Sequence, residues 1–215
     1  MRTKILLTAA IALAAGVVAS NAQVYSANVV GYANATLAGA NGYTLIANPF
    51  DDGNGNQSSN LLASLPNKAQ LLTWNGSGYN TPITKGGGVW PSSVALTPGT
   101  GFFVKVPGSP LTNTFVGSVI VNSGGSVTNP VGNGYTLVGS AIPYAGDVTT
   151  DANINLGSTL ANKSQLLGWD PVGQAYLTPV TKGGGVWGST FNISVGQGFF
   201  IKTTVPTNWV QTASF

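Results

Sequence analysis

One ten-residue phrase is written twice in this chain, and it constrains the fold more than any other feature. Residues 81–90 read Thr-Pro-Ile-Thr-Lys-Gly-Gly-Gly-Val-Trp, and residues 178–187 repeat them with Val180 in place of Ile83 as the single change. Further pairs extend the match. Gly42-Tyr43-Thr44-Leu45 returns as Gly134-Tyr135-Thr136-Leu137, Asn67-Lys68 as Asn162-Lys163, and Gly101-Phe102-Phe103-Val104-Lys105 as Gly198-Phe199-Phe200-Ile201-Lys202. The offset grows from 92 at the first landmark to 95 and then 97, so only short loop insertions separate the copies. Two copies of this length suit two small domains and are too few for a solenoid.

Within each copy the pattern is strand and turn. Leu71-Leu72-Thr73-Trp74 leads through Asn75-Gly76-Ser77-Gly78 to Tyr79, a hairpin signal, and Asp170-Pro171-Val172-Gly173 supplies the same turn in the second copy. Only Ser59–Leu65 and Asn153–Ala161 suggest a helical turn. The expectation is an all-β protein of two tandem β-sandwich or barrel-like units. Its parts are a signal peptide at 1–22, an N-terminal strand segment at 23–41, and repeat units at 42–132 and 133–215. Residues 24–32 read as a strand with no counterpart in the second copy, either an edge strand of the first unit or a strand lent to a neighbouring molecule.

The signal peptide rests on Arg2 and Lys4, an apolar run from Ile5 to Val18, and small residues before Gln23. As a helix that run spans about 21 Å, short of a hydrocarbon core of about 30 Å. Secretion to the extracellular space or cell surface is expected, with no transmembrane segment after cleavage. Export leaves six lysines against five aspartates, a net charge of +1, with no Arg, His, Glu or Cys. Nucleic-acid binding needs clustered cations and is not expected. So few charges also weaken the repulsion that keeps molecules apart.

The same inventory bears on chemistry. Without His, Cys or Glu there is no imidazole base, thiolate or ordinary zinc site, and the five aspartates share no local signature. Neither catalysis nor a cofactor or metal is expected. The triple glycine is no phosphate loop, because Lys85 and Lys182 precede it and a strand follows. Asp52-Gly53-Asn54-Gly55-Asn56 has the start of a calcium loop, but Ala63 stands where the bidentate Glu should be. Terminal Phe215 reads as part of the repeat, since Phe115 ends an internal counterpart.

Two groups of repeated residues remain as site candidates. The lysines fall into three pairs, Lys68 with Lys163, Lys85 with Lys182, and Lys105 with Lys202. Their reading is stems packed along apolar surface with ammonium groups in water, or edge-strand guards, with an anion site or a Lys–Asn crosslink as alternatives. Lys85 and Lys182 are expected outside, and Trp90 and Trp187 inside. Trp74, Trp90, Trp169 and Trp187, with Tyr79 and Tyr176, are core residues or, if exposed, a platform for sugar rings.

Taken together, Gly-Tyr-Thr-Leu-Ile-Ala-Asn-Pro, the Trp strand and Pro-Gly-Thr-Gly-Phe-Phe-Val resemble a repeated module of secreted bacterial β proteins of unassigned function. Repeat two departs from it at Gly139-Ser140. The resemblance implies an extracellular β module with no catalytic residue to carry over. The functional expectation is a secreted structural or cell-surface protein that self-assembles through β-strand contacts involving residues 24–32. The alternative is a carbohydrate-binding module whose partner is a surface polysaccharide.

Overall fold

The computed structural model describes residues 30–122, 124–154 and 156–213. The signal-peptide expectation, most of the 24–32 stretch and Phe215 lie outside these residues.

The first half of the chain contains β1 (Val30–Leu37), β2 (Gly42–Ala47), α1 (Ser58–Leu61), β3 (Gln70–Leu72), β4 (Ile83–Thr84), β5 (Gly101–Val106) and β6 (Leu111–Ser118). The second contains β7 (Ser126–Val131), β8 (Gly134–Gly139), β9 (Gly146–Asp147), α2 (Leu156–Thr159), β10 (Gln165–Leu167), β11 (Trp169–Asp170) and β12 (Ala175–Tyr176). It continues with β13 (Val180–Gly183), β14 (Val186–Trp187), β15 (Asn192–Ile193), β16 (Gly198–Thr203) and β17 (Thr207–Thr212). The fold is all-β, and every strand pair is antiparallel.

Each half carries one main sheet, ordered β2-β5-β3-β4 and β8-β16-β10-β13-β14. Their registers agree. Tyr43, Lys105, Gln70 and Thr84 form one cross-strand row, and Tyr135, Lys202, Gln165 and Thr181 form its counterpart. Each half adds a two-stranded ribbon, β1–β6 and β7–β17.

β7 pairs with β17 as β1 pairs with β6, so Tyr32–Leu37 of β1 has a counterpart in Ser126–Val131, while the expectation that residues 24–32 lack one falls almost wholly outside the described residues. The match is invisible in letters because the inward residues differ, Ala33, Ala35 and Leu37 against Val127, Asn129 and Val131. A pleated strand constrains the alternation of its faces more than their chemistry. A boundary at 132/133 would also cut β7 from β8 although β7 pairs with β17, so strand pairing divides the chain between β6 and β7. The described part of the 24–32 stretch is used within the chain: Val30, Gly31 and Tyr32 pair with Ser118, Gly117 and Val116.

The halves share one interior. The larger apolar cluster runs from Leu37, Phe102 and Phe115 to Phe199, Ile201 and Trp209. A smaller one joins Leu45 and Phe103 to Leu137 and Phe200. The backbones interlock reciprocally, with the Ala47 N–H donating to the Gly196 carbonyl (2.8 Å) and the Gly139 N–H to the Gly99 carbonyl (2.9 Å). The glycines that open β5 and β16 permit this approach. A Cβ on Gly101 would stand 2.8 Å from the Val138 carbonyl oxygen, and one on Gly198 2.7 Å from that of Ile46. Each half offers the other the same surface, as in a two-fold dimer.

Candidate functional site

The repeated phrase forms a hairpin whose lysine points inward. Lys85 and Lys182 are buried, which overturns the expectation that they lie outside. The Lys85 ammonium donates to the carbonyls of Ala63 and Leu65, both at 2.6 Å. That of Lys182 donates to Gly157 (2.6 Å) and Leu160 (2.7 Å). Ala63, Leu65 and Leu160 follow the one-turn helices and Gly157 lies within one, and each buried cation satisfies its two carbonyls with charge-assisted bonds. Trp90 and Trp187 are half-buried against the core beside these helices, and the Trp90 indole N–H donates to the Leu62 carbonyl at 3.1 Å. The corresponding indole N–H of Trp187 has no partner among the described residues.

The other lysines have different surroundings. Lys105 and Lys202 lie over the rings of Tyr43 and Tyr135, at 5.4 and 5.0 Å from the centroids. Lys68 and Lys163 are exposed, in left-handed conformation at φ 69° and 70°. Their N–H groups bond to the carbonyls of Lys85 and Lys182 at 2.8 and 2.7 Å, so the backbone at these positions supports the buried lysine.

Four of the six candidate aromatics converge. Trp74, Tyr79, Trp169 and Tyr176 meet along the seam between the halves, whereas Trp90 and Trp187 stand apart beside the helices. Each seam tryptophan reaches across: the Trp74 indole donates to the Tyr135 carbonyl and the Trp169 indole to the Tyr43 carbonyl, both at 2.9 Å. Trp74 meets Phe200 edge-on at 5.3 Å, and Trp169 meets Phe103 at 5.1 Å. Tyr79 and Tyr176 join hydroxyl to hydroxyl over the seam. Burial, and then the bond to Tyr176, push the Tyr79 hydroxyl far above its ordinary range. Gln174 closes one edge, accepting from the Tyr43 N–H (2.7 Å) and donating to its carbonyl (3.0 Å).

Two shallow clefts flank the tyrosine pair. One, of about 260 Å³, is lined by Tyr43, Leu72, Phe103 and Trp169; the other, of about 300 Å³, by Tyr135, Leu167, Phe200 and Trp74; Tyr79 and Tyr176 line both. Sequence reasoning missed Tyr43, Tyr135, Phe103 and Phe200 here, although all four lie in the repeated Gly-Tyr-Thr-Leu and Gly-Phe-Phe segments.

A third cleft, of about 370 Å³, has a different character. It opens between β1 at Asn34–Thr36, β2 at Thr44–Ile46, and the turn at Ser194–Gln197, with Trp169 and Pro171 at one end. Among the described residues no charged side chain lines it.

The aspartates close loops. Asp51 accepts from Gly53 N–H and the Asn56 amide, and Asp52 from the N–H groups of Asn54 and Asn56, so these carboxylates hold the calcium-like loop together by themselves. Asp170 accepts from Val172 N–H. Asp147 accepts from Thr149, Thr150 and the Phe191 N–H. Burial works against its ionisation, but these hydrogen bonds outweigh that and hold its carboxyl below the ordinary 3.8. Asp151 accepts from Asn153 N–H and the Tyr144 hydroxyl. Burial, that bond and the charges of Asp151 and Asp147 push the Tyr144 hydroxyl up to about 12. Among the described residues no three His, Cys, Asp or Glu side chains gather into a metal-binding group, and no helix is long and apolar enough to cross a membrane.

The chain matches no protein-family model, no curated protein and no solved structure.

Proposed function

We propose that this is an exported, non-catalytic structural protein of the cell surface that associates with copies of itself through the β1–β6 ribbon. The observation that carries this reading is where the charged groups have gone. Each aspartate closes a loop, two lysines donate to carbonyls inside the fold and two lie over tyrosine rings, so apart from the exposed Lys68 and Lys163 the charged groups build the fold. A catalyst needs such groups facing a cleft with protons to exchange.

The ribbon supports self-association. Val30, Tyr32 and Val116 on its outer face are 67%, 74% and 57% exposed. Tyr32 and Val116 stand directly opposite each other, and among the described residues β1 has no strand on its other side. No charge guards this face, and uncharged open edges invite pairing with another molecule. A second copy is the occupant best suited to it, because a net charge of +1 on the mature chain opposes like-with-like contact little. The signal-like amino terminus supports export.

Carbohydrate binding by the seam aromatics is less well supported. Their indole N–H groups serve backbone carbonyls, the two tyrosine hydroxyls serve each other, and the flanking clefts are nearly all apolar. A sugar would find ring faces there and almost no hydrogen-bond partners.

Sedimentation velocity over a wide concentration range tests the assembly. Wild type is expected to associate as concentration rises, and Tyr32→Lys to stay monomeric with unchanged stability. A wild type monomeric at every concentration, or a Tyr32→Lys variant that still associates, would refute it. Cell fractionation with sequencing of the mature amino terminus tests export, with Gln23 expected first and an intracellular, uncleaved chain as the contrary result.

A further inference from the structure

We infer that the cleft beside Ala35 is a binding site for a neutral, hydroxyl-rich ligand, a short stretch of uncharged polysaccharide. The two halves match closely in register, and at this place their inward residues differ. In the second half Asn129 is the inward residue of β7, opposite Trp209; in the first, Ala35 holds the same place in β1, opposite Asn113. The Asn129 side chain fills the angle between β8 and the turn at Pro98–Gly101. Its amide donates to the Gly139 carbonyl at 3.3 Å, and it packs so closely on Gly99 that a Cβ there would fall 2.1 Å from its nitrogen. The equivalent angle in the other half lies between β2 and the turn at Val195–Gly198, and only the methyl of Ala35 faces it. The space stays open, and its size falls within the range of about 300–1,000 Å³ usual for ligand sites.

The lining selects the ligand. With no charged group present, an ionic ligand would lose its hydration without gaining a counter-ion. The Gln197 side-chain carbonyl oxygen accepts from the Ser194 N–H (2.9 Å). This side chain is therefore oriented, and its NH₂ group lacks a partner among the described residues. A purely apolar ligand would cover this donor without satisfying it. Trp169, anchored through its N–H to the Tyr43 carbonyl, supplies an apolar wall beside it. An oriented amide, hydroxyls and an indole suit a pyranose, whose hydroxyls accept hydrogen bonds and whose C–H groups pack on an aromatic surface. An added peptide strand fits less well, because the cleft follows β1 only over Asn34–Thr36, shorter than a strand of about 5–6 residues. This inference depends on neither export nor self-association.

Isothermal titration of the purified protein with neutral xylo-, cello-, manno- and chito-hexaoses, and with an oligogalacturonate as the charged control, tests it. Wild type is expected to bind at least one neutral glycan at one site. Ala35→Asn, which copies the other half's plug, is expected to weaken that binding roughly tenfold or more. If Ala35→Asn does not fold, Gln197→Ala decides, with the same loss expected. Binding of none of the neutral glycans, preference for the charged one, or undiminished binding by the deciding variant would overturn the proposal. So would a wild-type dimer that Ala35→Asn converts to monomer, because the cleft would then hold a second chain.

Discussion

At the scale of single residues, the most informative are the two lysines of the repeated phrase. In sequence they read as surface charges, because lysine seldom lies buried. Their environment reverses this: carbonyls in and just beyond the one-turn helices need donors, and a long flexible cation reaches two at once. Lys85→Met keeps the stem and removes the donors, so the Ala63 and Leu65 carbonyls lose their partner. The expected cost is about 2–4 kcal/mol, against less than about 1 kcal/mol for Lys105→Met, whose ammonium lies over the Tyr43 ring. Urea unfolding of the two variants measures the difference. Gly198 is the second sensitive position. Alanine there would press its methyl against the Ile46 carbonyl, and a loss of about 1–3 kcal/mol is expected in the same assay.

At the scale of elements, the loops and the seam carry the pH dependence. The Asp147 carboxylate ties the loop after β9 to Phe191 at the approach to β15. Its pKa is lowered in the fold, so its contribution is fully present above the unfolded value of 3.8 and is lost as pH falls through the lower folded value. Asp147→Asn is expected to cost about 1–2 kcal/mol at neutral pH, and the gap from wild type to close below pH 3.8. Tyr79 behaves oppositely. Its raised pKa makes the stabilising, protonated seam fully present below the unfolded value of 10.0 and weaker as pH climbs above it. Tyr79→Phe should lose about 1 kcal/mol at neutral pH and flatten the alkaline decline, both readable from thermal melts across pH.

The elements also show what the letters could reveal. Strand positions, the Asn75–Gly78 turn, the short helices and the matched phrases were legible, because turn residues and alternating faces leave a local mark. The β1–β7 equivalence was not, since Ala35 and Asn129 share a backbone role with unlike side chains. Four of the six candidate aromatics meet, but nothing local signals that Trp74 and Trp169 cross to the opposite half, or that Tyr43 and Tyr135 receive them. Those contacts span 61 and 126 residues. The cleft beside Ala35 is the hardest case, because it arises from a side chain that one half has and the other lacks.

At the scale of the molecule, the two halves are parts of one body. They share the larger apolar cluster, exchange backbone bonds at Ala47–Gly196 and Gly139–Gly99, and trade tryptophans across the seam. Neither half keeps its interior covered without the other, so separating them would expose Leu45, Phe103, Leu137 and Phe200 together. This body is held together without disulfides, and it creates the cleft, whose walls come from both halves. Differential scanning calorimetry compared with van't Hoff analysis of the same melt tests this interlocking most directly. One transition with equal calorimetric and van't Hoff enthalpies, and with tryptophan fluorescence and far-UV circular dichroism changing together, is expected. Two separable transitions, or a calorimetric enthalpy near twice the van't Hoff value, would contradict it.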